Sequence, residues 1–120
     1  MSQKRDPRDF LPLTDVAFQV MLTLADGPAH GYGVMIEVER RTDGAVKLRP
    51  GTLYRAISRL HEAGLLEEAE ERPAPEADDE RRRYYRLTDL GRRVAAAEAR
   101  RRTREVEWAR DAGLLQPKRA

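Results

Sequence analysis

A group of hydrogen-bond donors lies between residues 52 and 59 of this 120-residue chain: Thr52, Tyr54, Arg55, Ser58 and Arg59. All five side chains can donate hydrogen bonds, and the two arginines carry permanent positive charges. Arg55 and Arg59 are four residues apart, so on a helix they share one face. Guanidinium groups suit guanine edges in a DNA major groove, whereas hydroxyl groups commonly bind phosphates. The chemistry that these residues could perform is therefore recognition of a nucleic acid.

The apolar residues of the same segment predict the helix that presents these donors. Pro50 suits the first turn of a helix, and Gly64 suits the left-handed position just after its end. The residues at the spacing of one helical face are Leu53, Ala56, Ile57 and Leu60. We therefore expect a short amphipathic helix with an apolar back and a polar front.

Two more helices are predicted before this one. Thr14 is a suitable N-cap for the first helix, and the second extends from about His30 to about Thr42. The apolar face of the first comprises Ala17, Val20, Met21 and Leu24. The inward face of the second comprises Met35, Ile36 and Val38.

A hairpin and a long helix are predicted after Gly64. Residues 65–72 and 83–87 favour two strands, and the prolines and acids between them exclude regular structure. Thr88 is a suitable N-cap for a last helix that ends near Asp111. The expected fold class is mainly α, of the α+β type, with three helices, a two-stranded wing and a long C-terminal helix. This is the winged helix-turn-helix arrangement, in which the third helix enters the major groove.

These elements divide the chain into four parts. Residues 1–12 are polar and contain two prolines, which predicts a flexible N-terminal arm with residues 10 and 11 against the body. We expect residues 13–87 to form the DNA-binding domain, 88–112 a dimerisation helix and 113–120 a flexible tail.

The charged residues are unevenly distributed, although the formal net charge is only +2. Residues 67–80 contain eight acids and one arginine, whereas residues 81–110 contain eleven arginines and four acids. This asymmetry favours a polyanionic partner for the basic part.

Several function classes are excluded by composition. The chain has no cysteine and two histidines, so we expect no disulfide, no metal site and no cofactor. Ser58, His61 and Glu62 are close in sequence but lack the strand-to-helix turn of a hydrolase, so we expect no enzyme. No segment has the apolar length of a signal peptide core or a membrane span, so we expect a cytoplasmic protein that associates with the nucleoid when bound to DNA.

Three motifs resemble the PadR family of bacterial transcriptional regulators. They are His-Gly-Tyr-Gly at 30–33, Pro-Gly-Thr-Leu-Tyr at 50–54 and Arg-Tyr-Tyr-Arg-Leu-Thr-Asp-Leu-Gly at 83–91. The resemblance implies a homodimeric repressor of the compact type that binds double-stranded DNA at a palindromic operator and is released by an effector or stress signal. Arg49 differs from the family pattern, in which a small capping residue often precedes Pro-Gly-Thr-Leu-Tyr.

The expected DNA contacts follow from the third helix and the wing. Arg55 and Arg59 are the candidates for contacts with base edges, and Thr52 and Tyr54 suit phosphates. Ser58 belongs to the same polar face and is a further candidate DNA contact. The base of the wing adds Arg81, Arg82 and Arg83. Tyr32 either joins a phosphate site or packs partly in the core, and His30 is interpreted as a cap or a packed ring.

The last helix carries an apolar stripe that three short helices cannot cover, which predicts a partner subunit. We expect the dimer interface to comprise Leu90, Val94, Ala97, Arg101 and Trp108, with Ala17 and Met21 from the first helix. We expect Trp108 to pack against the other subunit or, as the family resemblance implies, to stack on a small aromatic effector. Two alternatives to the DNA-binding regulator are a winged-helix adaptor for a protein partner and a small-molecule-binding dimer without DNA affinity.

Overall fold

The computed structural model describes residues 5–70 and 82–116. The helices are α1 (Asp15–Ala25), α2 (Gly31–Arg41), α3 (Pro50–Glu62) and α4 (Asp89–Asp111), with a 3-10 helix at Pro7–Phe10. The strands are β1 (Ala29–His30), β2 (Leu66–Ala69) and β3 (Tyr84–Leu87). The predicted order of helices and of the hairpin is confirmed, and the predicted loop at 73–80 lies outside the described residues.

Three of the four α-helices begin at a side-chain cap. Thr14 and Thr88 accept hydrogen bonds from the backbone N–H groups of Ala17 and Gly91, at 3.1 and 2.9 Å. The imidazole of His30 accepts from the Gly33 N–H at 3.0 Å and caps α2. α3 begins instead with Pro50, and Arg49 makes no side-chain cap bond within the described part of the chain. Thr14 and Thr88 are thereby confirmed as caps.

The core lies where α1 crosses the other helices. Its fully buried members include Val20, Met21, Leu24, Leu53, Leu65 and Val94. The predicted inward face of α3 is confirmed, since Leu53, Ile57 and Leu60 are all buried. The buried face of α2 differs from the predicted inward face: Val34 and Val38 are buried, whereas Ile36 is 51% exposed. Ile36 faces solvent because it lies away from the stripe that Val34 and Val38 form four residues apart.

The small sheet has three strands and not two. β3 lies in the centre and pairs antiparallel with both β2 and β1. Ala29 and His30 pair with Tyr85 and Tyr84. A two-residue strand has too little periodicity to be predicted, and it forms here because β3 leaves one edge available for pairing. The pairing joins the start of α2 to the wing, which is the β2–β3 hairpin.

α4 is held close to the wing by its first residues. The Thr88 hydroxyl donates to the Gly64 carbonyl at 2.7 Å, and the Thr88 N–H donates to the Leu65 carbonyl at 3.0 Å. A Cβ atom at Gly91 would overlap the Leu65 carbonyl oxygen, so only glycine permits this approach. The Leu-Thr-Asp-Leu-Gly run is thereby explained as a docking motif for α4.

Part of the expected flexible arm has regular structure. Residues Pro7–Phe10 form the 3-10 helix, capped by the Asp6 carboxylate, which accepts from the Arg8 N–H at 2.8 Å. Phe10 and Leu11 pack against the core. Their apolar contacts order a segment that its polar composition alone does not predict to be ordered.

Candidate nucleic-acid interface

The polar front of α3 is solvent-exposed along its length. Thr52, Tyr54, Arg55, Ser58 and Arg59 are all exposed. Neither Arg55 nor Arg59 forms an ion pair with any other residue in 5–70 or 82–116. The two guanidinium groups therefore stand on one helix face without a neutralising carboxylate, which is suitable for binding an anion.

Tyr54 connects α3 to the start of α2. The end of its ring lies only 2.6 Å from the position that a Cβ atom would take at Gly31. The close approach requires glycine at position 31, and it leaves Tyr54 half-exposed, at 51%. The His-Gly-Tyr-Gly and Pro-Gly-Thr-Leu-Tyr motifs are thus parts of one contact, a relation that their separation in the sequence conceals.

A cleft of about 370 Å³, which we call the α2 corner, lies between this contact and the wing. It is lined by His30, Gly31, Tyr32, Tyr54, Arg82, Arg83 and Tyr85. The Arg82 guanidinium lies 3.1 Å from His30 Nε2 and 5.5 Å from the centre of the Tyr32 ring. Burial lowers the pKa of His30, and the positive charge of Arg82 lowers it further. The corner is therefore a cleft that combines three tyrosine rings with the His30 imidazole and the guanidinium groups of Arg82 and Arg83.

The wing base has a more balanced charge than its sequence indicates. Arg83 lies 3.8 Å from the Glu68 carboxylate, and Arg86 lies 2.8 Å from the Glu67 carboxylate. Arg82 is directed to His30 and Tyr32. Arg81, a predicted DNA contact, lies outside the described residues. The glutamates of β2 thus partly balance the positive charge at the base of the wing.

The predicted dimer interface requires a correction. Met21 and Val94 are fully buried in the subunit and Ala97 is only 8% exposed, so these three belong to the core of the subunit and offer little or no surface to a partner. Their apolar stripe is covered by the helices of the same subunit. The other members of the predicted set remain accessible to different degrees. Ala17, Leu90 and Arg101 are half-buried, and Trp108 is 74% exposed.

Glu98 is a buried charged residue that the sequence reasoning missed. Its carboxylate accepts hydrogen bonds from the Leu13 N–H at 2.9 Å and from Arg101 and Arg102 at 2.6 and 2.7 Å. Burial would raise the pKa of Glu98, but these hydrogen bonds outweigh burial and lower the pKa to about 2. Its position four residues after Val94, on the inward stripe of α4, was the signal that could have identified it.

The described ranges contain neither a metal-binding cluster nor a membrane-spanning helix. No group of three or more His, Asp or Glu side chains there is placed to hold a metal ion. None of the helices in those ranges has the length and apolarity needed to cross a membrane.

The fold is shared with solved transcriptional regulators. A PadR family regulator from Clostridium difficile superposes with a TM-score of 0.67 at 20% identity, covering 85% of this chain and 100% of that chain. A transcriptional regulator from Clostridium thermocellum gives 0.62 at 22% identity, over 92% and 93% of the two chains. RosR from H. salinarum gives 0.60 at 24% identity, over 89% and 100%. These similarities establish the winged helix-turn-helix class.

The sequence then identifies the family within this class. Residues 20–97, more than half of the chain, match the transcriptional regulator PadR-like family. The chain belongs to the PadR-like family of transcriptional regulators, as its three motifs predicted. Because the members of this family are regulators and not enzymes, the expectation of a non-enzymatic protein is also confirmed.

Two curated relatives are similar over part of their length. The first is an uncharacterized 37.1 kDa protein in transposon TN4556 of Streptomyces fradiae, which is 35% identical over 85 residues. That match covers 71% of this chain but only 22% of the relative. The second, protein X of Lysinibacillus sphaericus, is 26% identical over 73 residues, which cover 61% of this chain and 64% of the relative.

Proposed function

We propose that this protein is a homodimeric DNA-binding repressor whose α3 helices read a palindromic operator. The observation that carries the proposal is the exposed front of α3, where Arg55 and Arg59 have no carboxylate partner among the described residues. An unpaired guanidinium can bind the O6 and N7 atoms of guanine without first breaking an ion pair. Arg55 and Arg59 are therefore the proposed base contacts.

The proposed phosphate contacts surround α3 on two sides. Thr52 and Ser58 are exposed on α3 itself, and Tyr54 extends from it to Gly31. The remaining contacts come from Tyr32, Arg82 and Arg83 of the α2 corner, and from Arg81. Contacts of this kind position the protein on DNA without reading sequence.

The proposed dimer uses the C-terminal half of α4. Val106, Trp108, Leu114 and Leu115 are large apolar residues with 43–76% exposure, and exposed apolar side chains of this size favour burial against a second subunit. Leu90, Arg101 and Ala17 are half-buried members of the proposed interface. A two-fold dimer would place its two α3 helices in successive major grooves, about 34–36 Å apart.

The proposed release of the repressor uses the same dimer. A small aromatic effector stacked on Trp108 would change the angle between subunits and hence the spacing of the two α3 helices. Such control requires that the effector bind one dimer geometry more tightly than the other. Without the effector, the repressor would remain on the operator and block access to the promoter.

A gel shift with the DNA upstream of the protein's own gene tests the proposal. We expect a discrete complex that survives unlabelled competitor DNA, weakens steeply with salt and protects two half-sites in footprinting. The absence of any complex at low salt would reject DNA binding and favour an adaptor that binds a protein partner. Quenching of Trp108 by planar aromatic compounds without DNA affinity would favour a small-molecule-binding dimer.

A further inference from the structure

The segment between α2 and α3 holds two exposed cations in fixed positions. The Val46 N–H donates to the Thr42 hydroxyl at 3.0 Å, which ties the segment to the end of α2. Leu48 is only 8% exposed and anchors the segment in the core. Lys47 and Arg49 flank this anchor on either side, and both are exposed. The fold therefore sets where these two positive charges lie, directly before α3.

Neither of these cations has a carboxylate partner. Among residues 5–70 and 82–116, Lys47 and Arg49 form no ion pair, and the first turn of α3 contains no acidic residue. Arg55 adds a third cation at the same end of α3, because its Nη1 lies 3.5 Å from the position of a Cβ atom at Gly51. Three positively charged residues therefore surround the start of α3 without an acid that pairs with them in those ranges.

The arginine before α3 is unfavourable for the stability of the chain alone. The first turn of a helix carries a partial positive charge, so a cation at the N-cap position is repelled. Serine, threonine, aspartate or asparagine would instead accept a hydrogen bond from the helix and stabilise it. The other three α-helices have a side-chain cap, whereas Arg49 makes no cap bond. An anion bound by Arg49 would offset this disadvantage.

We propose that Lys47 and Arg49 bind backbone phosphates of the DNA beside the major groove that α3 enters. Because α3 begins at Pro50, insertion of α3 into the groove would bring both cations to the adjacent sugar-phosphate backbone. The contacts are assigned to the two side chains and not to the backbone N–H groups of α3. The inference rests on the proposed function and adds two residues to its phosphate contacts.

Replacing Arg49 with serine should change stability and affinity in opposite directions. The serine hydroxyl can cap α3, so we expect the melting temperature to rise by about 4 °C. The lost phosphate contact should weaken binding to a short duplex of arbitrary sequence about 5-fold and reduce the slope of log affinity against log salt by about one. Wild-type affinity and slope would overturn the inference. An unchanged melting temperature would also overturn it, because arginine would then cost the fold nothing.

Three further variants separate charge from capping. Arg49→Lys keeps the charge and still lacks a cap, so its salt slope and melting temperature should match those of the wild type. Lys47→Gln should reduce the slope by about one at an unchanged melting temperature. Arg100→Gln is the matched control, since Arg100 is an exposed arginine of α4 without an ion pair among the described residues. An equal reduction of the slope in Arg100→Gln would show an effect of net charge alone and overturn the inference.

Modified DNA tests the phosphate assignment directly. A neutral methylphosphonate in place of one phosphate removes a single negative charge at a known position of the duplex. At the position that Arg49 contacts, this change should weaken the wild type about 5-fold and Arg49→Ser no further, because the contact is already lost. Additive losses at every position would overturn the assignment of Arg49 to a phosphate.

Failure of this inference is distinguishable from failure of the proposed function. A wild type that binds no duplex at low salt would reject both. Normal binding by the wild type, Arg49→Ser and Lys47→Gln alike would reject only the role of Lys47 and Arg49. Inorganic phosphate should compete only weakly with the duplex, and equally tight binding of free phosphate would overturn the assignment to the DNA backbone.

Discussion

The arginines of this chain differ in whether a carboxylate is already bound to them. Arg40 lies 2.6 Å from Glu37, and Arg101 lies 2.6 Å from Glu98. Arg55 and Arg59 have no such partner in the part of the chain that the structure describes. A paired guanidinium must give up its carboxylate before it binds DNA, so the net gain is small. The unpaired arginines of α3 are therefore the ones expected to contribute to specificity.

Replacing Arg55 or Arg59 with alanine tests this distinction. Each substitution should cost about 1–3 kcal/mol of binding free energy on the operator and less on random DNA, because a base contact is lost. Binding titrations on both duplexes measure the difference. Arg40→Ala is the matched control, with an exposed but paired arginine and little expected effect. Equal losses on both duplexes would show that Arg55 and Arg59 bind phosphates instead.

The contact between Gly31 and Tyr54 leads to a second prediction. A methyl group at position 31 would meet the Tyr54 ring at 2.6 Å and displace it, so Gly31→Ala should weaken DNA binding about 10-fold while the fold is kept. Gly33→Ala is the control, since its Cβ would have an ordinary 3.5 Å contact with His30. Unchanged DNA affinity of Gly31→Ala would show that the position of Tyr54 is unimportant for binding.

At the scale of elements, Glu98 joins α4 to the segment before α1. It accepts from the Leu13 N–H, and Arg102 extends the network by donating to Asp15 at 3.0 Å. The Arg102 guanidinium also lies 4.5 Å from the centre of the Phe18 ring. A buried carboxylate is tolerated here because it accepts hydrogen bonds from the Leu13 N–H and from the guanidinium groups of Arg101 and Arg102. The network therefore sets the position of α1 on α4.

The lowered pKa of Glu98 predicts acid sensitivity. Because its pKa is about 2 in the folded chain against an ordinary 4.5, its stabilising effect is complete above pH 4.5 and is lost as the pH falls toward 2. Glu98→Gln should lower the free energy of unfolding at pH 7 by about 3 kcal/mol and flatten its dependence on pH in that window. Urea titrations from pH 2 to 7 measure both effects.

Glu37 provides the control for Glu98. Hydrogen bonds from Arg40 and Arg41 also lower its pKa to about 2, but its side chain is accessible to solvent. Ion pairs at the surface contribute little, so Glu37→Gln should change the unfolding curve only slightly. Equal effects of the two substitutions would show that burial of Glu98 is not the source of its contribution.

At the scale of the whole molecule, α4 has two halves with different surroundings. The first half contributes Val94 and Ala95 to the core of the subunit. The second half extends past this core and exposes Val106 and Trp108. The second half is therefore the part of α4 that a partner subunit would cover.

Substitutions in the two halves of α4 should affect different properties, namely dimerisation and folding. Trp108→Glu should leave the melting behaviour of the subunit unchanged but shift sedimentation from dimer to monomer, because a charge would enter the proposed interface. Val94→Asp should instead unfold the subunit, with a loss of more than about 4 kcal/mol, since it buries an unpaired charge. A dimer of undiminished affinity in Trp108→Glu would place the interface elsewhere.

Much of the fold could be predicted from local signals. Thr14 and Thr88 marked helix starts, Pro50 and Gly64 bounded α3, and the spacing of Leu53, Ile57 and Leu60 indicated its buried face. These features act within one or two helical turns, so the order of residues is enough to reveal them. The family motifs followed from the same kind of local pattern.

Contacts between distant segments depended on the tertiary structure. The pairing of β1 with β3, the approach of Tyr54 to Gly31 and the contact of Arg82 with His30 join residues far apart in the chain. The buried positions of Met21 and Val94 likewise depend on which neighbours cover them, since an apolar stripe has the same pattern in a core as in an interface. The sequence by itself determined the four α-helices, the β2–β3 hairpin, the α3 donors and the family. Only the tertiary structure decided which apolar faces remain exposed and which polar groups meet, because both depend on packing between elements.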